Sequence, residues 1–224
     1  MPLAAFYDPD TTHIEIGIDE VGRGPMFGRV YSAAVILPKN MSFNHDLMKD
    51  SKKFTSQKKL KEVAQYIKDN CIQYTIAYES EDVIDKQNIK NATHSAMHKA
   101  IKGVINNKET NKYLLLVDGR DFKPLIRFDK FHQTLKEMPA VCIEGGDNKY
   151  SAIAAASILS KVERDKYIED MCKEYPKLDE FYALSKNKGY GTAKHLDGIK
   201  TYGITKWHRK SFGICKTSDL IEIE

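Results

Sequence analysis

Cysteine is scarce in this chain and scattered. Cys71, Cys142, Cys172 and Cys215 form no Cys-x-x-Cys pair, and the histidines are not clustered, so no zinc-site spacing is present and a reduced, intracellular chain is expected. Also missing is any run of the ~18 consecutive apolar residues that a membrane span needs, so no membrane association is expected. The opening stretch, Met1 to His13, has no basic patch followed by an apolar core, which gives secretion no support and makes the cytoplasm the expected location. No internal repeat, low-complexity tract or Pro/Gly/Ser-rich linker divides the chain.

What is present describes a globular protein. The 224 residues are 42% hydrophobic and 29% charged, with a mean hydropathy of -0.50, which is too aliphatic for a disordered chain. Lys and Arg number 35 against 31 Asp and Glu, for a net charge of +4. That excess permits a polyanionic partner without demanding one.

Hydrophobic periodicity outlines the elements. Residues 14 to 19 alternate in part and read as a strand, and Val30 to Leu37 reads as a second, joined to the first across a glycine-rich turn. Leu60, Val63, Ala64 and Ile67 fall at helical spacing behind a capping Ser56. Gln73 to Tyr78 reads as a strand and Val83 to Ile105 as a long helix. Tyr113 to Asp118 is a short apolar run of the kind buried on both faces of a sheet, and Ala140 to Ile143 adds one more strand. The Ala-rich stretch from Ser151 to Tyr175 is the strongest helix, and Thr192 to Tyr202 a shorter one. Strands come first and helices interleave, so a mixed α/β domain is expected.

The carboxylates carry the chemistry. Asp19 and Glu20 end the first strand, Asp118 ends the apolar one, and Asp147 precedes the Ala-rich helix. Adjacent strand residues point to opposite faces, so Asp19 and Glu20 are expected to share a site only if the chain leaves extended geometry there, at Gly22-Arg23-Gly24-Pro25. Hard oxygen ligands without His or Cys suit Mg²⁺ or Mn²⁺, and two such ions ~3.5–4 Å apart would clamp a phosphodiester. Taken singly, each carboxylate reads more readily as a polar strand end, and the local sequence supplies the discrimination.

Gly17-Ile-Asp-Glu-Val-Gly-Arg-Gly-Pro25 resembles the opening signature of the type 2 ribonucleases H, also called ribonucleases HII. Asp50-Ser51-Lys52-Lys53 is similar to that family's Asp-Ser-Lys segment, Leu116-Val117-Asp118-Gly119 to its third-carboxylate strand, and Gly146-Asp147 with Ser157 to Asp165 to its fourth-carboxylate loop and helix. Lys188-Gly189-Tyr190-Gly191-Thr192 with His195, then His208-Arg209-Lys210-Ser211-Phe212, resemble the C-terminal motifs. Ordered matches over residues 14 to 212 are specific where a lone Gly-x-Gly is not.

The resemblance implies a ribonuclease H-like mixed β-sheet flanked by helices over residues 1–176, with a small helical substrate-binding extension packed on it over 177–224. It implies that Asp19, Glu20, Asp118 and Asp147 bind two Mg²⁺ or Mn²⁺ ions. The implied reaction cuts on the 5′ side of ribonucleotides in RNA/DNA hybrids and in duplex DNA, leaving a 3′-hydroxyl and a 5′-phosphate. Gly22, Arg23 and Gly24 would sense the ribose 2′-hydroxyl, Tyr190 would pack on the next sugar and bond the same hydroxyl, and Ser51 and Lys52 would touch phosphates. The 2′-hydroxyl is what separates RNA from DNA at one site.

The chain departs from the family pattern in places. Val21 replaces an alanine, Arg29 stands at a usual proline, making it a candidate phosphate contact, and Gly145 stands where a lysine commonly precedes Gly-Asp. Asp165 is expected in a structural ion pair and His195 and His208 in structural roles. A monomer is expected, and no clamp-docking peptide is seen. Two rival readings stay open at this point: a catalytically silent hybrid-binding protein, and a resolvase-like DNA nuclease.

Overall fold

The computed structural model describes residues 3–10, 12–40, 42–51, 54–105, 112–129 and 133–223. In chain order these form β1 (Ile14–Val21), β2 (Val30–Ile36), α1 (Gln57–Asn70), β3 (Gln73–Glu79), α2 (Glu81–Val104) and β4 (Tyr113–Asp118). There follow β5 (Ile126–Asp129), β6 (Thr134–Glu137), β7 (Ala140–Ile143), α3 (Ser151–Glu174), α4 (Pro176–Tyr182), α5 (Leu184–Asn187) and α6 (Ala193–Tyr202). The main sheet runs β3-β2-β1-β4-β7, and β5 pairs with β6 as a separate hairpin. β1, β4 and β7 are parallel to one another, while β2 runs antiparallel to both of its neighbours, β1 and β3.

Side-chain alternation sorts the sheet into two faces. On β2, Ala33 and Val35 join α1 and the alanines of α3 in one apolar cluster. Ala34 and Ile36 join Ile16, Ile18, Leu115 and Val117 against the Met97–Val104 face of α2 in another. Small residues let α3 lie almost on the sheet: a Cβ at Gly17 would fall 2.1 Å from the carbonyl carbon of Ala152. Residues 151 to 160 are buried throughout, as expected of a helix with no solvent face.

The tail is tied to this body. Phe27 from the β1–β2 turn and Ile168 from α3 pack with Leu178, Tyr182, Leu184, Ile199, Ile204 and Cys215 in one cluster. Among the described residues, no helix is long and apolar enough to cross a membrane.

The strands and helices read from periodicity are present within a residue or two of the expected ends. The exception inside an element is α2, where Asn88 (φ 67, ψ 162) interrupts the helix and its Oδ1 accepts from the Asn91 N–H at 3.1 Å, capping the second half. The β5–β6 hairpin and helices α4 and α5 were not anticipated. β5 and β6 are four residues each, with Ile126 and Leu135 exposed, so they carry no buried face for a pattern to reveal.

Candidate active site

β1 and β4 end side by side, each with a carboxylate, and the turn after β7 carries a third. Ile18 of β1 pairs with Val117 of β4, so Asp19 and Asp118 are the next residues along neighbouring strands. β4 pairs with β7 up to Asp118–Ile143. Beyond β7 the chain turns through Gly145 (φ 60) into a short 3₁₀ turn, Gly146–Asn148, that carries Asp147. The Gly146 N–H donates to Asp118 Oδ1 at 2.6 Å, joining the second and third of these ends.

The Asp19 side chain is buried, and its Oδ1 accepts the Glu20 N–H at 2.7 Å. Burial, then the charges of Glu20 and Asp118, push its carboxyl well above the usual range, while a Ser157 hydrogen bond opposes them. Glu20 is raised by burial and by Asp118, against the pull of Arg23, whose Nη1 stands 3.4 Å from Glu20 Oε1. Asp147 Oδ1 accepts from Asn148 Nδ2 at 2.9 Å, and the same nitrogen reaches Asp50 Oδ2 at 3.3 Å.

The turn expected at Gly22-Arg23-Gly24-Pro25 begins at Gly22 (φ 92). Asp19 and Glu20 precede it in extended backbone, where pairing of β1 with β2 continues to Val21–Tyr31. The two carboxylates nevertheless share one field because Asp118 of the adjacent strand acts on both.

The turn after Gly22 is moulded by two arginines that are fully buried, Arg164 and Arg209, each 0% exposed. Arg209 donates from Nε to Gly28 O (2.8 Å), from Nη1 to Arg23 O (3.1 Å) and from Nη2 to Gly22 O (2.6 Å). Arg164 donates from Nε to Arg29 O (3.2 Å), from Nη1 to Lys188 O (3.0 Å) and from Nη2 to Phe27 O (3.2 Å). Six carbonyls thus satisfy the rigid donor forks. Burial and the Arg164 charge push Arg209 down to about 9. Both arginines lie within the matched segments of the sequence, but nothing local to either marks it as buried.

Tyr190 sits against this turn. Its ring lies 3.4 Å from where a Cβ on Gly24 would stand, and it is 44% exposed, so one side is packed and the other open. The Met26 N–H donates to Gly189 O at 2.8 Å, stitching the two loops together.

The remaining candidates fall as follows. Ser51 is buried, with its Oγ 3.0 Å from Ser157 Oγ, behind Asp19. Lys52 lies outside the described residues. The Arg29 guanidinium stands over the rings of Tyr78 (4.1 Å) and Tyr167 (4.6 Å), a packed position where a phosphate contact had been anticipated. Gly145 has a left-handed backbone and open space around its Cβ position, so a lysine there would be strained without being crowded. Asp165 pairs with Lys161 Nζ at 2.8 Å, as expected.

The donor set fits a hard divalent cation. Its oxygens include a buried carboxylate whose charge is opposed by two neighbours, and a cation would reverse that penalty. Among the described residues no three His, Cys, Asp or Glu side chains are already drawn together closely enough to hold an ion; Glu20, Asp118 and Asp147 are each engaged by a neighbouring donor instead.

A mixed sheet flanked by helices, with carboxylates at its parallel strand ends, is the arrangement of the ribonuclease H fold. The sequence profile of the family described as Ribonuclease HII matches residues 16–215. The chain is 43% identical over 213 residues to the ribonuclease HII of Cytophaga hutchinsonii, covering 95% of this chain and 94% of that one. Its backbone is similar to the ribonuclease H2 of Pyrococcus horikoshii (TM-score 0.69, 22% identity, 90% and 95% covered). It is also similar to the ribonuclease HII of Archaeoglobus fulgidus, solved in complex with PCNA (TM-score 0.62, 24% identity, 89% and 95% covered). This chain belongs to the ribonuclease HII family, and its activity is that of a metal-dependent ribonuclease H.

Proposed function

We propose that Asp19, Glu20, Asp118 and Asp147 hold two Mg²⁺ or Mn²⁺ ions and that the enzyme hydrolyses the phosphodiester on the 5′ side of a ribonucleotide. The products are a 3′-hydroxyl and a 5′-phosphate, and both RNA/DNA hybrids and single ribonucleotides in duplex DNA are substrates. The observation that carries this reading is the alignment of Asp19 and Asp118 on adjacent parallel strands, with Gly146 fastened to Asp118.

Divalent cations held by these oxygens supply an activated water and neutralise charge on the phosphate. The chain's own part is to aim and discriminate. Ser157 orients Asp19, and Ser51 braces Ser157. Glu20 is steadied by Arg23, which stays exposed at the mouth and adds positive charge for the scissile phosphate. Gly22 to Gly24 offer backbone in place of side chains, and Tyr190 offers its open face to a sugar. Residues 177–223 thereby act as a substrate-binding extension of the catalytic body.

Cleavage of a ribonucleotide-containing duplex by Asp118→Asn tests the metal assignment. Turnover in Mg²⁺ should fall by orders of magnitude with the fold intact. Mg²⁺-dependent turnover at the wild-type rate would contradict it.

A further inference from the structure

Behind Tyr190 the tail carries a pair of histidines that the reaction outlined above does not use. His195 is 0% and His208 1% exposed. Their Nε2 atoms are 3.2 Å apart. His208 Nδ1 is 3.0 Å from the Thr205 backbone N–H and 3.0 Å from Thr205 Oγ1. His195 Nδ1 is 2.9 Å from Tyr190 O, which also accepts the Thr192 N–H at 2.8 Å.

The ends of this chain fix its direction. A backbone N–H only donates, so His208 Nδ1 accepts and the ring's proton sits on Nε2. A carbonyl only accepts, so His195 donates from Nδ1 and its Nε2 is bare. The contact between the rings then has one donor and one acceptor, from His208 to His195, and both rings are neutral. A proton added to either ring would set two N–H groups face to face. Tyr182 makes T-shaped contacts with both histidines and Phe27 with His208, so both rings are enclosed by aromatic neighbours.

We propose that His208 and His195 are positioning residues for ribose recognition: their one-way chain of hydrogen bonds from Thr205 locks the carbonyl of Tyr190 and so holds its ring beside Gly24. The histidines touch no substrate and act through the Gly189–Tyr190 backbone, to which His195 is bonded. The inference rests on the reading that Tyr190 senses the ribose.

The test is a double-mutant cycle measured as initial rates, under saturating Mg²⁺, on duplex DNA carrying one ribonucleotide. His195→Phe keeps a ring in the pocket and deletes both bonds; it should slow cleavage about tenfold. In the Tyr190→Ala background the same substitution should change the rate less than about twofold, because no ring remains to be placed. His195→Asn retains a donor at the level of Nδ1 and should recover most of the rate. Should His195→Phe fail to fold, His208→Phe, which removes the donor to His195, carries the same cycle. A loss equally large with and without the tyrosine ring would overturn the proposal, since a general structural defect predicts that result. Tyr190→Ala cutting as fast as wild type would overturn the ribose reading itself and remove the proposal's basis.

Discussion

Gly22 and Arg164 share a space that admits no side chain at position 22: a Cβ there would lie 2.4 Å from Arg164 Nε. The same arginine holds the carbonyls of Phe27, Arg29 and Lys188. The turn that follows β1 is therefore cast around buried guanidinium groups, and a glycine is required where it passes closest. Burying two like charges together is costly; the carbonyl ligands and the nearby Glu81 and Asp85 offset part of that cost.

Gly22 and Gly24 should consequently respond differently to alanine. Gly22→Ala meets both a positive φ and Arg164, so we expect a loss of at least about 2 kcal/mol in urea unfolding. Gly24→Ala meets only the Tyr190 ring at 3.4 Å, an ordinary contact. It should unfold like wild type while cutting a single ribonucleotide more slowly.

Asp19 bears the clearest electrostatic penalty. Its folded-state carboxyl is raised above the unfolded value, so it contributes stability at low pH that is lost as pH rises through the folded value. At pH 7 Asp19→Asn should therefore raise the melting temperature while lowering turnover by orders of magnitude. Added Mg²⁺ should stabilise wild type, by binding the folded state, and should stabilise Asp19→Asn less. Thermal melts with and without Mg²⁺ check both statements.

His208 gives a pH dependence of opposite sign. Burial, then the neighbouring His195, push its ring down to about 3, whereas in the unfolded chain it titrates near ~6.5. The unfolded state binds more protons between those values, so this residue's contribution is full above ~6.5 and is lost as pH falls toward the folded value. His208→Gln should flatten the fall of urea stability between neutral and acid pH relative to wild type.

Arg29 should behave as a packing residue. Each phosphate contact adds about −0.9 to the slope of log affinity against log salt on B-form DNA. With its guanidinium over Tyr78 and Tyr167, Arg29→Ala should leave that slope unchanged and lower the melting temperature. Binding titrations at several salt concentrations provide the measurement.

How much of this could be read beforehand depended on whether a residue's partners were local. β2 and the helix bearing Leu60, Val63, Ala64 and Ile67 follow from periods of 2 and 3.6. Asp19 and Asp118 stood out because each ends an apolar run. The arginine mould was not legible: Arg209 lies more than 180 residues from Gly22 in sequence, and no pattern predicts that a guanidinium will be enclosed by carbonyls. The contact of the Ser51 hydroxyl with Ser157 joins distant segments, and no local pattern foretells it. The break at Asn88 was hidden because the apolar residues on either side keep a helical spacing.

The central claim is that this carboxylate edge, with its glycine turn and Tyr190, recognises a ribose and cuts beside it. The most direct measurement is cleavage, in Mg²⁺, of two duplexes identical except that one DNA strand carries a single ribonucleotide. The account predicts one cut, on the 5′ side of that ribonucleotide, with a 3′-hydroxyl and a 5′-phosphate at the ends, and an intact all-DNA duplex. Equal cutting of both duplexes would contradict it.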